Sequence, residues 1–111
     1  MDDGGPIKRK APRKDFSCDI KVRFSGQDFY TTIAVKDISV SGVRAIVPRL
    51  IKVGDSLEIK MNLNGREIDC KGKVAWILLL RLSLGNISSF DTGIEFYEMN
   101  SEDQEFLAKL V

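Results

Sequence analysis

The feature that most constrains the fold is a strict alternation of apolar and polar residues in short runs. Between residues 16 and 24 every second side chain is apolar, and the same alternation recurs between residues 57 and 63. A period of two is typical of a strand that buries one face. The sequence therefore predicts a protein built mainly from short antiparallel strands.

The dipeptide Asn64-Gly65 marks the sharpest turn in this pattern. Both central residues of a type I′ turn need positive φ, and Asn-Gly is the pair best suited to them. A two-residue loop here predicts a register with three pairs: Leu63 with Arg66, Met61 with Ile68, and Ile59 with Cys70. Those pairs keep the apolar side chains on one face, so the turn and the alternation favour the same register.

The remaining elements complete a small barrel. Further strands are expected over 29–35, 43–47 and 91–97, the strand after the hairpin extends to about Leu80, and Asp37 to Gly42 is expected to form a turn. Ser101 and Gln104 have the spacing of a capping box, which predicts a short terminal helix with Ser101 as its N-cap. The predicted fold class is all-β: a small six-stranded antiparallel β-barrel with a short C-terminal α-helix.

One stretch of the chain is harder to interpret. Residues 81–90 fit either a long hairpin or a loop, and the apolar segment 78–84 favours strand and core over an interaction surface. The aromatic side chains of Phe24, Trp76 and Phe96 are expected in the core, because each falls on an apolar face.

The first residues differ in character from the rest. Residues 1–14 hold five Lys and Arg against two Asp, and glycine and proline interrupt any regular element there. We therefore predict two segments, a flexible basic N-terminal arm over 1–15 and the barrel with its helix over 16–111.

Composition argues against several classes of function. The chain has no histidine and a formal net charge of +1, and it lacks a cluster of acidic residues at metal-binding spacing, so we expect neither an enzyme nor a metal site. Cys18 and Cys70 are expected as buried, reduced thiols. The sequence shows no signal-peptide pattern and no apolar run of roughly 20 residues, so a cytoplasmic protein without a membrane span is predicted.

Two short motifs carry the candidate chemistry. Arg9 and Arg13 lie four positions apart in the arm, and Asp37, Ser39 and Gly42 form a D-x-S-x-x-G sequence after the second strand. An arginine can bind guanine or phosphate bidentately or stack on a base. A carboxylate can accept from the N1–H and 2-amino groups of guanine, and a hydroxyl and turn amides add further contacts. Glycine permits a tight backbone that a ligand can approach.

This pair of motifs resembles the R-x-x-x-R and D/N-x-S-x-x-G motifs of the PilZ domain family. The resemblance covers about residues 8–111 and includes Gly93-Ile94-x-Phe96 before the terminal helix. It implies a bacterial receptor for the second messenger cyclic di-GMP, without a cofactor, in which Arg9 and Arg13 clamp the ligand and Asp37 and Ser39 read a guanine edge. Lys8, which precedes the first arginine, and Lys10 are further ligand-binding candidates.

The resemblance also implies an output through a partner. We expect ligand to order the arm, and the protein, a monomer or weak dimer, to regulate a downstream protein in motility, biofilm, exopolysaccharide or virulence control. Two alternatives remain: a barrel that binds RNA or single-stranded DNA through the basic arm, and a ligand-independent protein-interaction barrel that uses residues 78–90. A nucleic-acid polymer is not the expected partner, because most of the barrel is net negative.

Overall fold

The computed structural model describes residues 14–81 and 89–111, with side chains for 18–80 and 89–111. The described residues form six antiparallel strands and one helix: β1 (Lys14–Phe24), β2 (Thr31–Ser39), β3 (Gly42–Val47), β4 (Ser56–Leu63), β5 (Arg66–Arg81), β6 (Ser89–Glu98) and α1 (Ser101–Leu110). The strands close into a barrel in the order β1-β2-β3-β6-β5-β4. The predicted barrel with a C-terminal helix is confirmed.

The β4–β5 hairpin has the register that the sequence predicts. Asn64 and Gly65 have φ of 52° and 86°, which is the left-handed backbone that the turn requires. The pairs Leu63–Arg66, Met61–Ile68 and Ile59–Cys70 are all present. The apolar residues of these pairs point into the barrel and are buried.

One continuous core fills the barrel. All six strands contribute inward apolar side chains, and the helix adds Leu107, which is fully buried. The largest fully buried side chains are Ile20, Ile38, Ile59, Leu63, Ile68 and Leu107. Burial of this apolar surface is the main term that stabilises the closed barrel.

The N-terminus of α1 is capped one residue earlier than predicted. The Asn100 side chain accepts a hydrogen bond from the Asp103 amide at 2.8 Å, so Asn100 and not Ser101 is the N-cap. Asparagine and serine are comparably good N-cap residues, so the sequence alone does not distinguish Asn100 from Ser101. The buried Asp103 carboxylate also accepts from Arg66 Nε at 2.9 Å, which ties the helix to the start of β5.

The second strand runs further than predicted. Residues 37–39 belong to β2, and only Val40 and Ser41 form the turn before β3. The reason is a β-bulge: Val35 pairs with Ala45 and Asp37 with Arg44, which leaves Lys36 as an extra residue on β2. A bulge reverses which face the following side chains occupy.

A second bulge lies in β5. Val74 pairs with Ile94 and Trp76 with Gly93, so Ala75 is the extra residue. Trp76 therefore lies on the outer face, with 41% of its surface exposed, and its predicted core position is wrong. Phe24 is buried as predicted, and Phe96 packs partly buried against the core.

Leu78, Leu79 and Leu80 lie in β5 but not in the core. Each is at least half exposed, which corrects the expected core position for these three residues of the segment 78–84. Residues 82–88, which include the end of that segment and most of the ambiguous stretch 81–90, lie outside the described residues. Beyond Lys73, β5 has no register partner in β4 among the described residues, because β4 begins at Ser56, opposite Lys73. Among the described strands, this segment therefore pairs with β6 alone.

The cysteines differ in burial. Cys70 is buried and Cys18 half-buried, and neither takes part in a disulfide. Burial, reinforced by the nearby carboxylates of Asp103 and Asp69, raises the pKa of the Cys70 thiol to about 12. Cys70 is thus neutral at physiological pH, as expected for a structural thiol. Within the described residues, the ten-residue helix is too short to cross a bilayer.

Replacement of Leu107 by alanine should lower the free energy of unfolding by about 2–5 kcal/mol, because the fully buried side chain leaves a cavity in the core. Urea unfolding followed by circular dichroism measures the loss. Glu105→Ala, exposed on the same helix, is the matched control and should change stability by less than about 0.5 kcal/mol. Equal effects of the two variants would show that α1 does not complete the core.

Candidate functional site

Asp37 and Ser39 lie together on the outer face of the barrel. Their strand partners in β3 are Arg44 and Gly42, whereas Ile38 between them pairs with Val43 inside the core. Without the extra residue Lys36, alternation would have turned both polar side chains inward. Both are nonetheless largely covered by their neighbours: Asp37 is 6% exposed and Ser39 is 1% exposed.

Ser39 organises the turn between β2 and β3. Its Oγ accepts a hydrogen bond from the Ser41 amide at 3.2 Å and lies 3.0 Å from the Ser41 hydroxyl. A serine that bonds the amide two residues ahead stabilises a tight turn. The predicted contact between Ser39 and a ligand stays a prediction; the exposed Ser41 is the hydroxyl that this turn presents to solvent.

Arg44 joins two carboxylates from different strands. Its Nε donates to the two oxygens of Asp91 at 3.0 and 3.1 Å, and its Nη1 donates to Asp37 Oδ2 at 3.1 Å. The hydrogen bond to Asp91 is the main cause that raises the pKa of Arg44 above its ordinary value. The Asp37 carboxylate is therefore held in place by an ion-pair network across β2, β3 and β6.

The outer face carries a row of residues in register across four strands. Asp37 pairs with Arg44, Arg44 with Gly93, and Gly93 with Trp76. The indole of Trp76 lies directly over Gly93, where any Cβ would overlap the ring. The row thus combines a carboxylate, a guanidinium and a half-exposed aromatic ring on one surface.

Gly42 is required by packing between strands. A Cβ at this position would overlap the carbonyl oxygen of Ile94 and lie 3.1 Å from the Glu95 Cα. Its φ is not in the left-handed region, so the absence of a side chain, and not backbone freedom, is what β3 and β6 need here. Its approach to a ligand stays a prediction.

Sequence reasoning found part of this site and missed another part. Lys8, Arg9, Lys10 and Arg13 lie outside the described residues. The residues that it missed are Arg44, Asp91, Ser41 and Trp76. Asp91 and Trp76 are brought to this face only by the pairing of the strands. Ser41 lies inside the D-x-S-x-x-G motif, and Arg44 follows Gly42 by two positions as a polar residue among apolar ones, so both could have been noticed in the sequence.

The described residues contain no cluster of three side chains suited to a metal ion. An open cavity of about 390 Å³ does lie elsewhere, along β4 and β5, with Tyr30, Lys60 and Asp69 among its lining residues. It includes none of the residues of the outer-face row. The D-x-S-x-x-G residues therefore lie on an open surface and not in this cavity.

The sequence matches the model of the PilZ domain over residues 7–111. The chain belongs to the PilZ domain family. This membership confirms the resemblance drawn from the two motifs. Comparison with curated proteins found no match.

Several solved structures share the fold. The Bacillus subtilis inhibitor of motility MotI/DgrA superposes with a TM-score of 0.74 at 18% identity, over 94% of this chain and 49% of that one. The PilZ domain of YcgR from Escherichia coli, solved with cyclic di-GMP, superposes with a TM-score of 0.72 at 11% identity, over 95% of this chain and 89% of that one. The cyclic di-GMP complex of MrkH from K. pneumonia superposes with a TM-score of 0.69 at 17% identity, over 94% of this chain and 50% of that one. The chain thus spans about half the length of MotI and MrkH.

Gly42→Ala should lower the free energy of unfolding by about 3 kcal/mol, because β3 and β6 must separate to admit the methyl group. Urea unfolding measures this. Gly26→Ala is the control: Gly26 has φ of 85° and open space around it, so that variant adds backbone strain of about 1 kcal/mol without a clash. A smaller loss for Gly42→Ala than for Gly26→Ala would contradict the packing role.

Proposed function

We propose that this protein is a non-catalytic receptor for cyclic di-GMP that binds its ligand on the outer face of the barrel. The observation that carries the proposal is the Asp37 carboxylate, which the bulge in β2 turns to the outer face and Arg44 holds there. It belongs to the D-x-S-x-x-G motif of a PilZ domain. The ligands recorded for the YcgR and MrkH structures support the choice of cyclic di-GMP.

The chemistry of the row suits a guanine base. Asp37 would accept hydrogen bonds from the N1–H and the 2-amino group of guanine, which only a carboxylate can do bidentately. Ser39 would keep the turn in shape, so that Ser41 and the turn amides face the ligand. Arg9 and Arg13 would bind the phosphates and the second edge of the base, with charge-assisted hydrogen bonds. Lys8 and Lys10 would add positive charge beside the phosphates.

Binding would order the N-terminal arm. In this mechanism the arginines close over the ligand, and the hydrogen bonds that they form offset the loss of conformational entropy in the arm. The ordered arm, the ligand and the barrel then form a surface that does not exist without ligand. A downstream protein would recognise that surface, which is how a receptor without catalytic groups regulates an output.

Cyclic di-GMP should bind with a dissociation constant in the micromolar range, which corresponds to a binding free energy of about −8 kcal/mol. Arg9→Ala and Arg13→Ala should each weaken binding at least about tenfold, because each removes a charge-assisted contact. Isothermal titration calorimetry measures both. Arg49→Ala is the matched control, because Arg49 lies over the Phe24 ring beyond the far end of β3.

Unchanged affinity in both arm variants would refute the clamp. Hydrogen exchange on the same samples tests the ordering step: amides of residues 8–13, which precede β1, should exchange more slowly with saturating ligand. An arm that exchanges equally fast in both states would leave the receptor without its proposed mechanism.

Ligand binding should also change the fluorescence of Trp76, the one tryptophan of the chain. Its half-exposed ring lies in the same cross-strand row as Asp37 and Arg44, so a base bound there alters its surroundings. The emission change should saturate with the dissociation constant found by calorimetry, and Asp37→Asn should reduce both signals. Calorimetric binding with constant emission would place the ligand elsewhere.

One observation favours a second candidate function. Leu78, Leu79 and Leu80 are exposed, which is the surface that a ligand-independent protein-interaction barrel would use. Sedimentation at increasing protein concentration, with and without cyclic di-GMP, separates the two functions. Self-association of a protein that binds no nucleotide would support the second.

A further inference from the structure

Among the described residues, Arg44 differs from the other arginines in ion pairs by the number of carboxylates that it binds. Arg23 pairs with Glu58 and Arg66 with Asp103, one carboxylate each. Arg44 binds two carboxylates, and one of them is the motif residue Asp37. The Arg44 side chain is 41% exposed, whereas the side chains of Asp37 and Asp91 are only 9% and 12% exposed.

The two contacts of Arg44 have different geometry. Asp91 holds the guanidinium through Nε with both of its oxygens, which fixes the plane of the group. That orientation directs Nη1 to a single oxygen of Asp37. Asp91 thus sets the position of Arg44, and Arg44 sets the position of Asp37.

This arrangement leaves room for a base. A carboxylate offers about four acceptor positions on its two oxygens, so a bond from Arg44 is compatible with two further bonds from a guanine edge. Without Arg44, the nearly buried Asp37 and Asp91 side chains would lose the guanidinium that links them across β3, and Asp37 would lose the hydrogen bond that orients its Oδ2.

We propose that Arg44, oriented by Asp91, is a positioning residue that makes Asp37 selective for guanine. The inference rests on the proposed function, since it concerns how the same site distinguishes bases. It assigns to Arg44 and Asp91 an effect on selectivity that acts through Asp37 and needs no contact between either residue and the ligand.

The test compares cyclic di-GMP with cyclic di-IMP, whose hypoxanthine base keeps N1–H but lacks the 2-amino group. Calorimetry on the wild-type protein should show at least about tenfold preference for cyclic di-GMP, the discrimination expected of a bidentate contact. Arg44→Gln should weaken the binding of cyclic di-GMP about tenfold and the binding of cyclic di-IMP much less. The ratio of the two affinities should then fall to about threefold or less. Asp91→Asn should shift the preference in the same direction.

Three further variants separate positioning from a general structural role. Arg23→Gln breaks an ion pair of the same kind between β1 and β4, and it should leave the preference unchanged. Arg44→Gln combined with Asp37→Asn should have no lower preference than Asp37→Asn alone, because Arg44 acts through Asp37. Arg44→Lys keeps the charge but cannot bind both carboxylates as a fork, so it should not restore the preference.

The outcomes are distinct. If the wild-type protein binds cyclic di-GMP and the variants weaken the binding of both dinucleotides equally, the inference is overturned and the proposed function stands. A wild-type protein that binds neither dinucleotide overturns both. Circular dichroism checks that each variant is folded, and Asp91→Asn and Arg44→Lys carry the test if Arg44→Gln does not fold.

Discussion

The β-bulge at Lys36 is the constraint on which the candidate site depends. A strand alternates its side chains between two faces, and one extra residue exchanges the faces for all positions that follow. Here the exchange puts Ile38 into the core and turns Asp37 and Ser39 outward. A continuous strand would have buried both polar residues among apolar ones, where each would need a partner or cost free energy.

The bulge at Ala75 has a corresponding effect on the other side of the site. It moves Trp76 out of the core to lie over Gly93, next to the strand that carries Arg44. The two bulges together assemble one surface from β2, β3, β6 and β5. Each leaves one extra residue on its strand, and the barrel remains closed around both bulges.

In the proposed mechanism, the site combines a rigid part on the barrel and a part contributed by the arm. The rigid part is an ion-pair network in which Arg44 links carboxylates from β2 and β6. Gly42 contributes by allowing β3 and β6 to approach closely beside the turn. Preorganised groups of this kind lose little entropy when a ligand binds, so most of the ordering in the proposed mechanism falls on the arm.

The sequence alone determined the fold class, the hairpin register at Asn64-Gly65, the terminal helix and the two motifs that identify the family. These features depend on local periodicity, turn chemistry and residue spacing, all of which are present in the linear chain. Only the tertiary structure decided that Trp76 lies outside the core, that Asn100 caps the helix, and that Arg44 binds Asp37 and Asp91. The physical reason is that bulges and cross-strand neighbours arise from strand pairing, and residues 47 positions apart, such as Arg44 and Asp91, become partners only when the barrel closes.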